Sequence, residues 1–366
     1  MSSTPQYPKA PGFNISRVIR IVSIVVPLAL AGNIIYVLVA TDSLAAQGIG
    51  NCNFVYLALA AALVFVPWIA HSLRILIWGH AFGKNLTFGE SFRTAVATDL
   101  GAAIAPSTIG GSYAKLGILA SFGFSPGEAT LVTLLGTFED GAFFIVALPI
   151  AFLITGAWND PGIRQVAANI ASYWPIFAGA AAAVIIGYIL FLRIGGKKPS
   201  RMANGAVKQS SGIFHKLAAR FKLYGGQFTG AWDFVRRNHK VTFLLCSLLA
   251  GIGWTCRYSV ITLLILGLGY TADPILFFLM QWVVFTLMTL FPTPGAVGGA
   301  EVSFALIFRG IVPTGVIPLL TTAWRFLTFY LIMVAGAGII VLFGVGRSPS
   351  PIMPVDQGID EELETI

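Results

Sequence analysis

Residues 106–111 read Pro-Ser-Thr-Ile-Gly-Gly, and residues 294–299 read Pro-Gly-Ala-Val-Gly-Gly. Proline has no N–H to give a helix and ends it. A glycine pair lets the chain turn and lets neighbouring backbones approach closely. Each Pro-x-x-[Ile/Val]-Gly-Gly break interrupts an apolar stretch, over 88–123 in the first case and 275–310 in the second. The halves on either side are roughly 12 to 18 residues, short of the ~20 needed to cross a bilayer. Each stretch therefore reads as a re-entrant, broken helical hairpin. Such backbone is tolerated at membrane depth only where protein or a water-filled cavity satisfies it.

Working outward, longer apolar runs over 53–79 and 128–155 flank the first break. Runs over 241–269 and 316–343 flank the second. The matched context goes further. A second punctuation follows each break, Ser125-Pro126 and Val312-Pro313. The preceding run carries a Trp near an Arg, Trp68 with Arg74 and Trp254 with Arg257. Charges then appear inside the following run, Glu139 and Asp140 in one unit and Arg325 in the other. The unit of span, broken hairpin, span thus occurs twice, over 53–155 and 241–343. Further spans are expected over 18–40 and 174–193.

Composition agrees with a membrane chain. Of 366 residues, 56% are hydrophobic and 10% charged, with mean hydropathy +0.82. A soluble domain carries about 25% charged residues. The 40 glycines and 19 prolines suit closely packed, interrupted membrane helices. Cys52, Cys246 and Cys256 have no CxxC spacing and no histidine cluster beside them, so neither a disulfide framework nor a metal site is indicated, and no cofactor is implied. The apolar run after Arg20 reads as a retained first helix rather than a removed leader.

The segment 195–240 holds ten Lys and Arg against one acid, Asp233, a larger excess than the +8 of the whole chain. By the bias of bases toward the cytoplasm it is an internal loop. It could also grip anionic lipid headgroups. No aromatic–basic module accompanies it, so nucleic-acid binding is not expected. Lys9, Arg17 and Arg20 place the N-terminal tail, 1–17, inside, and the acidic tail, 344–366, follows it there. On this topology the two hairpins enter from opposite faces, an inverted repeat. Inverted repeats with matched Gly/Pro interruptions point to transporters and to their binding sites.

Eight ionisable residues fall inside apolar segments: Arg74, Asp99, Lys115, Glu139, Asp140, Arg257, Glu301 and Arg325. Each is costly in hydrocarbon unless paired or hydrated. Four bases and four acids can satisfy one another, so the count does not demand an anionic substrate. Position separates them. Lys115 and Glu301 fall in the first turns after the breaks. Glu301 suits a helix N-terminus, whereas Lys115 opposes the dipole and calls for an anionic guest or a carboxylate such as Glu139 or Asp140. The restarted helices also aim backbone N–H groups into the breaks at Pro106, Gly110 and Gly111 and at Pro294, Gly298 and Gly299. The alternative is that the Gly-Gly pairs only pack helices. Asp99 ranks below the others for want of a counterpart in the second unit. His71 and His80 read as packing or interfacial residues. Ser107 and Ser112 lack a His–Asp set, so no hydrolase is proposed.

Pro106–Lys115 with Phe122-Gly-Phe-Ser-Pro126 and Glu139-Asp140, and Phe291–Glu301 with Arg325, resemble the lysylphosphatidylglycerol synthase transmembrane family, also described as flippase-like. In that family the first motif usually ends in arginine where this chain has Lys115, which keeps the charge but loses bidentate phosphate recognition. The resemblance implies a membrane module that moves lipids between leaflets, often anionic or aminoacylated phospholipids. It associates relatives with hopanoid or polyprenyl-linked glycan lipids. Full-length synthases add a soluble aminoacyl-transferase domain. Only residues 344–366 follow the membrane part here, so aminoacyl transfer is not expected.

The reading is an all-α, polytopic integral membrane protein with about six spanning helices and two re-entrant broken hairpins in an inverted repeat. It belongs in a prokaryotic cytoplasmic (inner) membrane, with both termini cytoplasmic and membrane lipids as partners. The expected function is a flippase-like transporter for a lipid with a polar or anionic headgroup, not an enzyme. The site would comprise Arg74, Lys115, Glu139, Asp140, Arg257, Glu301, Arg325 and the two breaks. Two alternatives stay open. A membrane enzyme or accessory factor acting on a lipid-linked substrate needs an acid–base pair at the interface. A small-solute transporter needs a cavity closed to lipid.

Overall fold

The computed structural model describes residues 52–105, 109–156, 233–237, 239–291, 293–309 and 311–345, with isolated helical positions between 27 and 39. The expected span over 174–193, Pro106, the acidic tail beyond 345 and most of the basic loop lie outside the described residues, as does most of the first span.

The described chain is helical. Among the described residues, four helices are long and apolar enough to cross a membrane: Phe54–Ala81, Pro126–Thr155, Lys240–Gly267 and Thr314–Phe343. They coincide with four expected spans. Between them lie pairs of shorter helices at the expected hairpins. We number the elements α1 (Phe54–Leu63), α2 (Val66–Ala81), α3 (Phe88–Ile104), α4 (Ile109–Ser121), α5 (Pro126–Thr155), α6 (Lys240–Gly267), α7 (Pro274–Met288), α8 (Gly299–Phe308), α9 (Ile317–Arg325) and α10 (Ile332–Phe343). At 1.5 Å per residue, α3 is roughly 25 Å long and α8 roughly 15 Å, less than the ~30 Å hydrocarbon layer. The order of long helix, short pair, long helix therefore repeats.

Local sequence explains the ends. Thr87 and Ser125 cap α3 and α5, each with a glutamate three residues on that reaches back to the cap N–H, Glu90 at 2.8 Å and Glu128 at 2.7 Å. Asp273 caps α7 with Pro274 at its first turn. The stretch expected as one run over 53–79 is interrupted at Val64–Phe65. Pro67 lacks the N–H that would bond the Leu63 carbonyl, so the chain turns before α2 resumes. In the last long helix, Arg325 is followed by a wide π turn, Phe326–Leu331, before α10.

Helix α6 lies at the centre and packs on α1, α2, α5, α7 and α9. Half of its most apolar window is buried, against 11% for α5, whose Ile145, Leu153 and Ile154 face outward. One core joins α1, α6, α7, α8 and α9. Another joins α2 to α5 with Cys246 and Ile340. Between them Phe329, Tyr330 and Met333 pack on Ala103, Ile104 and Val297, so the end of α3 meets the second break. At the other end of α3, Arg93 donates to the Phe343 carbonyl at 2.6 Å, satisfying a terminal acceptor of α10.

A polar cavity at the junction of the helices

Five helices surround a cavity of about 200 Å³. Helix α2 presents Pro67, His71 and Arg74, spaced to share one face. Helix α3 gives Thr98 and Asp99, α4 gives Ser112 and Lys115, α5 gives Gly136 and Asp140, and α6 gives Gly253, Trp254 and Arg257.

Arg74 anchors the wall. Its Nε donates to Glu139 Oε2 at 2.6 Å and its Nη2 to the Gly136 carbonyl at 2.6 Å. Its Nη1 lies 2.9 Å from Asp140 Oδ1, an ion pair by distance whose angles are poor for a hydrogen bond. The other Glu139 oxygen accepts from the indole N–H of Trp78. Glu139 is fully buried behind the wall. A buried carboxylate is tolerated only when its oxygens are engaged in this way. Opposite, Asp99 accepts from Trp68 Nε1 at 3.0 Å and from Arg257 Nη2 at 3.2 Å. Arg257 also sits over the Trp254 ring.

Lys115 differs. Among the described residues it makes no ion pair. Its Nζ lies 3.4 Å from His71 Nε2, within hydrogen-bond distance. A carboxylate partner in Glu139 or Asp140 was one expectation for it; both carboxylates are engaged by Arg74 instead. Lys115 and Arg74 converge over Gly136, where a methyl group would lie 3.6 Å from Lys115 Nζ and 3.5 Å from Arg74 Nη2.

A second cavity of about 570 Å³ shares Asp99, Trp254 and Arg257 with the first. Aromatic rings dominate it, including Tyr258, Phe285, Trp324 and Phe329, together with Arg325. Arg325 donates from Nε to Glu301 Oε1 at 3.1 Å and from Nη2 to the Gly295 carbonyl at 3.0 Å, and stacks over Phe329. Glu301 Oε2 accepts from Gly298 N at 2.8 Å. The N–H expected to point at a guest is therefore already capped by Glu301. Pro294 opens the tight turn, Gly295 and Gly298 adopt φ +61° and +83°, and Gly299 abuts the Phe291 ring.

In the first break the glycines pack helices. A methyl on Gly110 would lie 2.4 Å from the Gly101 carbonyl oxygen, and one on Gly111 2.7 Å from that of Thr98. Helix α4 thus crosses α3 almost backbone to backbone. Of the four expected cations, Arg74, Arg257 and Arg325 are each paired with a carboxylate, and among the described residues Lys115 is not. Sequence reasoning undervalued Asp99 and set aside His71, both of which line the cavity. The signal for His71 was its place three residues before Arg74 on the same helical face. His80 is exposed, as expected of an interfacial residue.

A family described as the lysylphosphatidylglycerol synthase TM region matches residues 20–336. The chain belongs to that family. It is also similar to a UPF0104 membrane protein of Archaeoglobus fulgidus, 24% identical over 305 residues, covering 79% of this chain and 87% of that protein. The family match spans both breaks and the eight charges inside the apolar segments. Membership agrees with an all-α integral membrane protein of a family linked by its description to lipids.

Proposed function

We propose that the protein is a flippase-like transporter of the cytoplasmic membrane, which carries the polar headgroup of a lipid through the charged cavity while the acyl chains stay in the bilayer. The observation that carries this reading is a set of five charged side chains lining a cavity midway along the 30-residue α5, with Glu139 buried behind the wall. Groups there lie roughly 20 Å from either helix end, well inside a ~30 Å hydrocarbon layer. Intramembrane ionisable residues that face a cavity mark substrate paths. Transporters build such sites from Gly/Pro-interrupted segments, and the first interrupted segment supplies Thr98, Asp99, Ser112 and Lys115 to this cavity.

The depth of Glu139 and Asp140 speaks against an interfacial acid–base pair of a lipid-modifying enzyme, and both already serve Arg74. The side chains of Asp99, Asp140 and Arg257 keep about 30% exposure each, which disfavours a cavity sealed for a small solute. Reconstitution into liposomes bearing acyl-labelled lipids, followed by dithionite quenching of the outer leaflet, tests the proposal. Faster loss of inner-leaflet fluorescence than in protein-free vesicles is expected for at least one headgroup. Rates equal to the control across phosphoethanolamine, phosphoglycerol, phosphoserine and glycolipid headgroups would overturn it.

A further inference from the structure

Among the described residues, the Arg, Lys, Asp and Glu charges around the cavity balance one another. Arg74, Lys115 and Arg257 face Asp99, Glu139 and Asp140, three bases against three acids, with the His71 ring beside Lys115. In the second cavity Arg325 and Glu301 balance each other. Net charge in a low-dielectric site is expensive, and removing or adding one charge leaves its neighbour uncompensated. A guest with net charge would unbalance this cluster. A guest carrying one charge of each sign would not.

The groups are also arranged for two signs. Lys115 makes no ion pair among the described residues and converges with Arg74 over Gly136, beside Ser112, a donor pocket for a phosphate. Asp140 gives one oxygen to Arg74 and keeps its side chain 32% exposed on the same cavity wall, an acceptor for an ammonium. The cavity, at about 200 Å³, is smaller than the roughly 300–1,000 Å³ that holds drug-sized ligands whole. It takes a headgroup and excludes chains.

Resting on the flippase reading above, we infer that the substrate is a net-neutral phospholipid with a zwitterionic headgroup. Its phosphate is held by Lys115 and Arg74 and its ammonium by Asp140. Selectivity over anionic headgroups comes from the charge balance of the cluster.

The test uses the full-length protein in neutral liposomes containing a trace of one acyl-labelled lipid, with either a phosphoethanolamine or a phosphoglycerol headgroup. The zwitterionic lipid should cross at least about tenfold faster, a difference of about 1.4 kcal/mol in barrier. Lys115→Met should abolish that advantage, and Lys115→Arg should retain it. Asp140→Asn, which leaves the cluster with one excess positive charge while Arg74 keeps Glu139, should reverse the preference toward phosphoglycerol. Phosphoglycerol crossing as fast as or faster than phosphoethanolamine in the parent protein overturns the inference and leaves the flippase reading standing. A preference unmoved by Asp140→Asn, in protein whose thermal unfolding matches the parent, also overturns it. If neither lipid, nor any other headgroup in the wider panel, crosses faster than in empty vesicles, both readings fail. Release of trapped glycerophosphoethanolamine from the same liposomes would assign the site to a soluble phosphoamine and overturn the lipid assignment.

Discussion

Arg257 on α6 and Asp99 on α3, 158 residues apart in sequence, meet at 3.2 Å in the wall common to both cavities. Their pairing is the physical partition between the polar chamber and the aromatic one. It also ties the first broken hairpin to the central helix. With 31% and 28% of the two side chains exposed, solvent screening limits its contribution to stability.

Asp99→Asn keeps the shape of the side chain and removes the charge. Unfolding stability in detergent should fall by less than about 1 kcal/mol. Lipid movement should fall by roughly tenfold, equal to about 1.4 kcal/mol of barrier, because Arg257 is released into the path. Thermal unfolding and the dithionite assay together check both halves.

Glu139 behaves differently because it is wholly buried and serves both Arg74 and Trp78. Glu139→Ala leaves a buried guanidinium with one partly exposed carboxylate, Asp140, beside the Gly136 carbonyl. A loss of about 3–5 kcal/mol is expected, seen as a large drop in thermal midpoint and in monodisperse yield. Arg74→Met combined with Glu139→Leu should recover most of the midpoint while transport stays lost.

The close crossing of α3 and α4 predicts a contrast between two glycines. A methyl on Gly110 collides with the Ala105 side chain and the Gly101 carbonyl, whereas one on Gly141 meets nothing within 4 Å. Gly110→Ala should lower stability by about 1–3 kcal/mol as the helices separate. Gly141→Ala should be neutral, or stabilising by up to about 1 kcal/mol from helix propensity. Thermal unfolding of the two purified variants reads the difference.

Gly136 offers a milder probe of the cavity. An added methyl would stand in ordinary contact with both Arg74 and Lys115, so the fold should tolerate it. Gly136→Ala should leave the thermal midpoint within about 0.5 kcal/mol of the parent and slow lipid crossing, since it occupies the space above which the two cations converge. An unchanged crossing rate would place the headgroup elsewhere.

In the second break, Arg325→Lys keeps the charge but not the fork that spans Glu301 and the Gly295 carbonyl, nor the stack on Phe329. It should lose about 1–3 kcal/mol of stability, close to the loss for Arg325→Met. A lysine variant as stable as the parent in thermal unfolding would show that the charge alone suffices.

Much of this architecture was legible because proline, glycine and apolar run length act locally. Pro294, Gly298 and Gly299 mark the second break, and Ser125-Pro126 marks the punctuation before α5. The kink at Val64–Phe65 had a visible cause in Pro67, but hydropathy alone runs through it. The ion pairs were less readable, since a sequence shows that Arg74 must be compensated but not by which acid. Lys115 was matched with Glu139 and Asp140 by their chemistry. The three-dimensional path of α2 gives those acids to Arg74 and leaves Lys115 to His71. Asp99 was undervalued because its meaning depends on Arg257, which the fold alone brings near.

The wide turn Phe326–Leu331 carries one residue more than a plain helix needs for the same advance. If the same residues wound instead as a plain α-helix, the one left over would swing everything after it by roughly 100° about the axis. Arg325 would stay in place, while Ile332 and Met333 would rotate off the aromatic chamber. The shape of that chamber is thus set by a count of residues as much as by their identity, and deleting one residue of the turn should restore a plain helix while leaving Ile332 and Met333 facing the chamber.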